Sequence, residues 1–221
     1  MSDLEDIFNT VEHMSDKWQP YFEVYTKHLS QFRDKEITLV EIGVQGGGSL
    51  DMWGKFFPKA KIIGIDIDQA CAGLEYTNPN ISVIIGDQSN PTFWDVFFSE
   101  NPDVDVIIDD GGHLMHQQVI SLEKCFPKLK DGGVYITEDC HTSYMPDYQG
   151  DLFHPGTFIE YAKVCIDLIN SDWRTTTVPE FDRRLPIFQN LTSVSFYDSV
   201  VVFEKFGKRK MHRVFSKTIE E

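Results

Sequence analysis

Five short β-branched runs at residues 37–42, 61–65, 81–85, 104–108 and 133–137 constrain the fold most. Each is too apolar on both faces to sit half exposed, which is the signature of strands buried in a parallel sheet. Amphipathic stretches separate them. Helices are expected at 49–57, 92–98 and 116–129, the last with Val119, Leu122 and Phe126 on one face, and later at 157–169, with Phe158, Ala162, Cys165 and Ile169 on one stripe. Alternating strands and helices of this kind read as α/β. Runs at 193–197 and 199–205, parted only by Asp198, predict an antiparallel hairpin closing the sheet edge, and two helices at 3–14 and 19–31 precede the sheet. With 221 residues, 41% of them apolar, the chain can close one sizeable core, so a single globular domain is expected.

Charge and cysteine usage narrow the function. The formal net charge of −15 opposes a phosphate backbone or an anionic membrane, so neither nucleic acid nor membrane is an expected partner. The imbalance reverses locally at 205–221, where six Lys/Arg stand against two Glu, a run read as a solvated surface or a frayed end. Cys71, Cys125, Cys140 and Cys165 are widely spaced and form no CxxC pair, which fits a reduced, cytoplasmic compartment. The first 31 residues lack the basic and apolar regions of a signal peptide, and no run approaches the roughly 18 apolar residues of a membrane span.

The chemistry sits where strands end. Val40-Glu41-Ile42-Gly43-Val44-Gln45-Gly46-Gly47-Gly48-Ser49 reads as a strand, a glycine turn and a helix start. A dinucleotide loop would read GxGxxG, but Gln45 replaces its second glycine and Glu41 brings a carboxylate to the approach. That charge repels a pyrophosphate and favours the amino group and sulfonium of S-adenosylmethionine. Asp66, 18 residues after Gly48, ends the next strand where it could accept ribose hydroxyls, a feature that suits NAD equally. Asp87 and Gln88 follow the third strand and either bond an adenine edge or cap the next helix. Asp109-Asp110-Gly111-Gly112-His113 and Glu138-Asp139 follow the fourth and fifth.

Ligands gather beyond the carboxyl ends of parallel strands, so these acids should converge on one rim. Asp110, Glu138 and Asp139 offer hard oxygen donors without thiolate or paired-histidine spacing, which suits Mg²⁺ or a similar cation rather than zinc. His113, three residues after Asp110, is placed as a general base beside that ion, against the plainer reading of a helix cap. The loop 140–156 carries His141, Tyr144, Tyr148, Phe153 and His154, an aromatic and polar mix that could contact a substrate, or is an ordinary surface loop.

The residues resemble a known family, the class I S-adenosylmethionine-dependent methyltransferases, and within it the metal-dependent sugar O-methyltransferases of the macrocin, mycinamicin and rhamnosyl type. The matching stretches are Ser15-Asp16-Lys17-Trp18, residues 40–53, 64–68, 86–89, 109–113, 132–139 and 195–205. Asp-Asp-Gly-x-His combined with Glu-Asp is the specific part. The resemblance implies a doubly wound, mostly parallel seven-stranded sheet with an antiparallel C-terminal hairpin. Residues 1–36 would supply helices that cover the cofactor, and 37–221 the catalytic domain. It implies S-adenosylmethionine contacts at Glu41, Gly43, Ser49, Asp66, Asp87, Gln88 and Asp109, with Lys17 in the covering stretch. Asp110, Glu138 and Asp139 match the ligands of Mg²⁺ or Mn²⁺, and His113 matches the base. The expected acceptor is a sugar hydroxyl, as of rhamnose in a glycosylated natural product, and a homo-oligomer is permitted by Phe8, Trp18 and Phe22. A catechol-type O-methyltransferase is the near alternative. An NAD-dependent oxidoreductase and a non-catalytic glycan-binding module are more distant ones.

Overall fold

The computed structural model describes residues 3–207 and 213–214, so most of the basic run at 205–221 lies outside the described residues. Among the described residues the strands are β1 (Thr38–Ile42), β2 (Lys61–Asp66), β3 (Ile81–Ile85), β4 (Val104–Asp109), β5 (Leu129–Thr137), β6 (Leu191–Phe196) and β7 (Val201–Lys205). They form one seven-stranded sheet in the order β3-β2-β1-β4-β5-β7-β6. The pairs among β1 to β5 are parallel, while β7 runs antiparallel to both β5 and β6. This is the mostly parallel seven-stranded sheet with an antiparallel C-terminal hairpin that the resemblance implies.

Both faces of the sheet are covered, which is why its central strands are largely apolar on both sides. Val40, Ile63, Ile107, Tyr135 and Phe203 pack with Trp94, Phe97, Phe126 and Phe158 on one face. Leu39, Ile62, Val106, Val134 and Val202 pack with Tyr25, Trp53, Phe56 and Phe57 on the other. The helices supplying these layers are α1 (Asp3–Phe8), α2 (Tyr21–Leu29), α3 (Gly48–Phe56), α4 (Pro91–Glu100), α5 (Met115–Cys125), α6 (Phe158–Ile169) and α7 (Pro179–Arg184). Local chemistry starts several of them. Asn90 caps α4 by accepting from Thr92 N–H, with Pro91 at the first helical position, and Thr157 caps α6 by accepting from Glu160 N–H.

Several boundaries differ from the sequence expectation, and one short helix was not expected. Helix α1 ends at Phe8 instead of 14, closed by the Thr10 hydroxyl donating to Ile7 O. Helix α5 stops at Cys125, because Pro127 cannot continue it and β5 already begins at Leu129. The β6–β7 connection spans 197–200 rather than Asp198 alone, and it holds Ser199 at φ 64°. Helix α7 is short and lacks a fully buried residue, so no apolar stripe announces it.

The strand order reverses between β1 and β4, the switch point at which doubly wound sheets bind ligands. There the backbones leaving the two strands nearly touch. Gly43 has φ 91°, and a Cβ on it would overlap the backbone carbonyl oxygen of Asp110. One layer below, Asp109 ties the rim together. It accepts from Gln88 Nε2 at 3.0 Å and from the Tyr135 hydroxyl at 2.9 Å, while Gln88 also reaches Ser121 Oγ and receives Gly112 N–H. Burial pushes the Asp109 carboxyl up to about 7, against the pull of its Tyr135 and Gln88 bonds.

Two outcomes are expected. Gly43→Ala should lose about 2 kcal/mol of stability in urea unfolding, from left-handed strain and displacement of the Asp110 loop; an unchanged midpoint would show that the loops have room. Because the native pKa of Asp109, about 7, lies above the unfolded value of about 3.9, the native state holds the extra proton between them. The Asp109 contribution to stability should therefore be full below about pH 4 and fall as pH rises to about 7. Asp109→Asn should flatten that part of the stability–pH curve, and equal slopes in both proteins would contradict the assignment.

Candidate active site

A cavity of about 420 Å³ opens at the carboxyl ends of β1, β2, β3, β4 and β5, within the range of about 300–1,000 Å³ usual for small-molecule sites. The segment 9–20 between α1 and α2 lies along one wall. Gly48 N–H donates to Met14 O at 3.1 Å, and Ser15, Asp16, Lys17 and Trp18 line the cavity.

The glycine turn and the ends of β2 and β3 form one half. Asp66 uses its carboxylate first to brace the turn, accepting from Val44 N–H (2.7 Å), Gln45 N–H (3.0 Å) and Asp68 N–H (2.9 Å). Those bonds hold its pKa down against partial burial. A carboxylate offers about four acceptor positions, so Asp66 has room for one further donor rather than for two ribose hydroxyls independently. Asp87 lines the cavity and accepts from Ser89 N–H and Oγ with one oxygen. Gln88 lines the cavity with its amide engaged by Asp109, Ser121 and Gly112. Asp109 likewise faces the interior instead of the cavity, because consecutive strand residues point to opposite sides.

Glu41 also sits deeper than the sequence suggests. It is fully buried beneath the cavity floor, where Ser49 Oγ donates to its Oε2 at 2.8 Å and its Oε1 lacks a hydrogen-bond partner. Burial raises its pKa, opposed by Lys17 and Ser49.

The other half concentrates negative charge. Lys17, expected over the cofactor, instead inserts its ammonium among the acids. It pairs with Asp110 Oδ2, donates to Glu138 Oε2 at 2.9 Å and lies 3.6 Å from Glu41 Oε1. Burial alone would lower its pKa, but Asp110 and Glu138 outweigh that and hold the ammonium charged. The buried Tyr25 hydroxyl donates to Glu138 Oε1 at 2.6 Å. Desolvation and then the Asp110 charge push the Glu138 carboxyl well above the usual range. Asp139 accepts from the Tyr21 hydroxyl at 2.6 Å, and Tyr21 also reaches Ser199 Oγ, which His141 Nδ1 meets at 2.5 Å. Sequence reasoning did not single out Tyr21, Tyr25 or Ser199. The four-residue spacing of Lys17, Tyr21 and Tyr25 is the signal that could have found the tyrosines.

His113 Nε2 stands 3.8 Å from Asp110 Oδ1 and 3.7 Å from Asp139 Oδ2, and its buried Nδ1 has no hydrogen-bond partner. His113 (φ 58°) and Asp139 (φ 51°) both adopt left-handed backbone conformations, a strain of about 1–3 kcal/mol each that persists only where the surroundings impose it. Among the described residues, Asp110, His113 and Asp139 bring ligand atoms within 4.8 Å of one another. The expected third oxygen ligand, Glu138, lies outside that group, turned toward Lys17 and Tyr25. An oxygen-rich donor set with an unpartnered buried carboxylate oxygen nearby fits a hard divalent cation.

Comparison with known proteins places this geometry. No family model matches the chain. It is 37% identical over 150 residues to the 8-demethyl-8-alpha-L-rhamnosyl tetracenomycin-C 2'-O-methyltransferase of Streptomyces olivaceus, covering 63% of this chain and 39% of that protein. It is 32% identical over 193 residues to the mycinamicin VI 2''-O-methyltransferase of Micromonospora griseorubida, covering 82% and 47%. The MycE methyltransferase of the mycinamycin pathway, solved with Mg and SAH, superposes with a TM-score of 0.80 at 29% identity over 93% of this chain and 55% of that one. The chain thus spans about half the length of the curated relatives it matches. Over the span it shares with them, it belongs to the class I S-adenosylmethionine-dependent methyltransferases, in the family of sugar O-methyltransferases of the macrocin, mycinamicin and rhamnosyl type.

Proposed function

We propose that this chain is an S-adenosylmethionine- and divalent-metal-dependent O-methyltransferase whose acceptor is a sugar hydroxyl, as of a deoxysugar on a glycosylated natural product. The observation that carries the reading is the convergence of Asp110, His113 and Asp139 at one end of a cavity whose other end is the glycine turn braced by Asp66. The relatives named above methylate sugar hydroxyls, and MycE carries Mg and SAH. Four buried cysteines standing as free thiols support a reducing, cytoplasmic setting. Among the described residues, no helix is long and apolar enough to cross a membrane.

Gly43, Ser49, Asp66 and Asp87 line the part of the cavity assigned to the cofactor, with Ser15 and Asp16 of the first 36 residues as its cover. Glu41 and Asp109 act from behind, and Gln88 from the cavity wall, holding the turn and the Asp110 loop in place. Asp110, Glu138 and Asp139 would hold the cation, which when bound lowers the pKa of a coordinated hydroxyl. His113, held by its backbone between Asp110 and Asp139, removes the acceptor's proton, and the flanking carboxylates stabilise the imidazolium that results. Trp18, exposed at the rim and edge-on to His141 at 6.3 Å, and Tyr148, whose ring lies 6.5 Å from that of His113, offer aromatic faces for orienting a sugar.

His113→Ala should reduce turnover by at least about 100-fold, the usual scale of a lost general base, while binding of S-adenosylhomocysteine in calorimetry stays within a few-fold; undiminished turnover would remove His113 as the base. EDTA should stop methylation of a rhamnosylated acceptor, and Mg²⁺ or Mn²⁺ should restore it. Full activity in EDTA would exclude the metal-dependent reading.

A further inference from the structure

Asp110 faces two ways. Its Oδ2 pairs with the Lys17 ammonium, while its Oδ1 faces His113 in the group that includes Asp139. Glu138 is committed to the inner side, bonded by Lys17 and Tyr25. The ammonium therefore stands against the oxygen donors that a hard divalent ion requires. Its position is incompletely satisfying, because Glu41 Oε1 remains without a hydrogen-bond partner 3.6 Å away. Three carboxylates, Glu41, Asp110 and Glu138, surround a single ammonium, so a second positive charge is favoured there. Two charges on one ion attract Asp110 and Glu138 more strongly than one does.

We infer that Lys17 is the chain's own occupant of the divalent-cation site: its ammonium and the metal compete for Asp110 and Glu138, and metal loading releases Lys17 from between them. The inference rests on the metal-binding part of the function proposed above. Lys17 lies outside any helix or strand, so moving its head group breaks no backbone ladder. It precedes α2, in a stretch at 15–18 without helix or strand, its flexible four-carbon stem lines the cavity, and the open volume beside it receives the head group. The neighbouring tethers lie elsewhere: Met14 O is fixed by Gly48 N–H, and His13 Nδ1 meets Asp51 Oδ2 at 2.7 Å. Between Asp110 and Glu138 the ammonium offsets their mutual repulsion and keeps the two carboxylates close in space.

The test uses the full chain and Mn²⁺ alone, without cofactor or acceptor. Calorimetry on Lys17→Met should show Mn²⁺ binding at least about tenfold tighter than in the unsubstituted chain, because removing the ammonium leaves buried carboxylates that only the metal can compensate. Equal or weaker binding overturns the inference. On the unsubstituted chain, saturating Mn²⁺ should speed modification of Lys17 by trinitrobenzenesulfonate, followed by mass spectrometry, since the buried ammonium becomes accessible. An unchanged rate also overturns it, and this measurement decides alone should Lys17→Met not fold. Equal affinities with unchanged labelling remove the role of Lys17 while leaving the metal reading intact. Absence of Mn²⁺ binding to either protein removes both.

Discussion

Negative charge gathered at the carboxyl ends of β1, β4 and β5 is the constraint to which the rest of the structure answers. Glu41 and Glu138 are fully buried, and Asp110 and Asp139 are largely so. At effective protein dielectrics, unit charges about 4 Å apart interact by about 4 kcal/mol, so such a group stands only if it is compensated. Lys17 supplies that compensation from far away in sequence, 93 residues from Asp110 and 121 from Glu138. The N-terminal segment is thus bound to the sheet by electrostatics as well as by the apolar packing of Leu4, Tyr21 and Tyr25.

The same requirement explains the division of labour within paired acids. Asp109 and Asp110 are adjacent in sequence, yet one turns inward to Tyr135 and Gln88 and the other outward to the cavity. Glu138 and Asp139 divide similarly: Glu138 turns toward Lys17 and Tyr25, and Asp139 toward Tyr21 and the His113 side. Two consecutive carboxylates on one face would repel at contact; the period of two along β4 turns Asp109 inward, while Glu138 and Asp139, past the end of β5 at Thr137, are parted by the left-handed backbone at Asp139. Beyond the strand the chain must then turn abruptly to present His113 and Asp139, and both pay in left-handed backbone. The Gln88 amide, held by Asp109, Ser121 and Gly112 at once, is what keeps the Asp110–His113 loop from relaxing out of that shape.

How much of this was legible in the sequence follows from which interactions are local. The strands showed themselves because residues buried on both faces must be apolar, and the rim acids because they end those strands. The separation of Asp109 from Asp110 was legible in principle, as a matter of strand parity. The destination of Lys17 was not, since nothing near it in the chain records that Glu138 lies opposite. The same holds for Tyr21 and Tyr25, which look like core aromatics until their hydroxyls meet Asp139 and Glu138. Helix ends failed for short-range reasons, the Thr10 back-bond at α1 and Pro127 after α5, which periodicity does not weigh.

The position of Glu41 changes how the glycine turn selects a ligand. The sequence suggests a carboxylate that touches the ligand, yet Glu41 lies under the floor, bonded to Ser49 and facing Lys17. Its influence on the cavity is therefore a field rather than a contact, and a field from a buried charge is weakly screened by salt. With the carboxylates of Asp110 and Asp139 at this end, an approaching pyrophosphate meets repulsion that the turn's few N–H groups, two of them already given to Asp66, are poorly placed to offset. A sulfonium or a divalent ion meets attraction from the same arrangement. The turn differs from a dinucleotide-binding loop less in its glycines than in the charge stored beneath them.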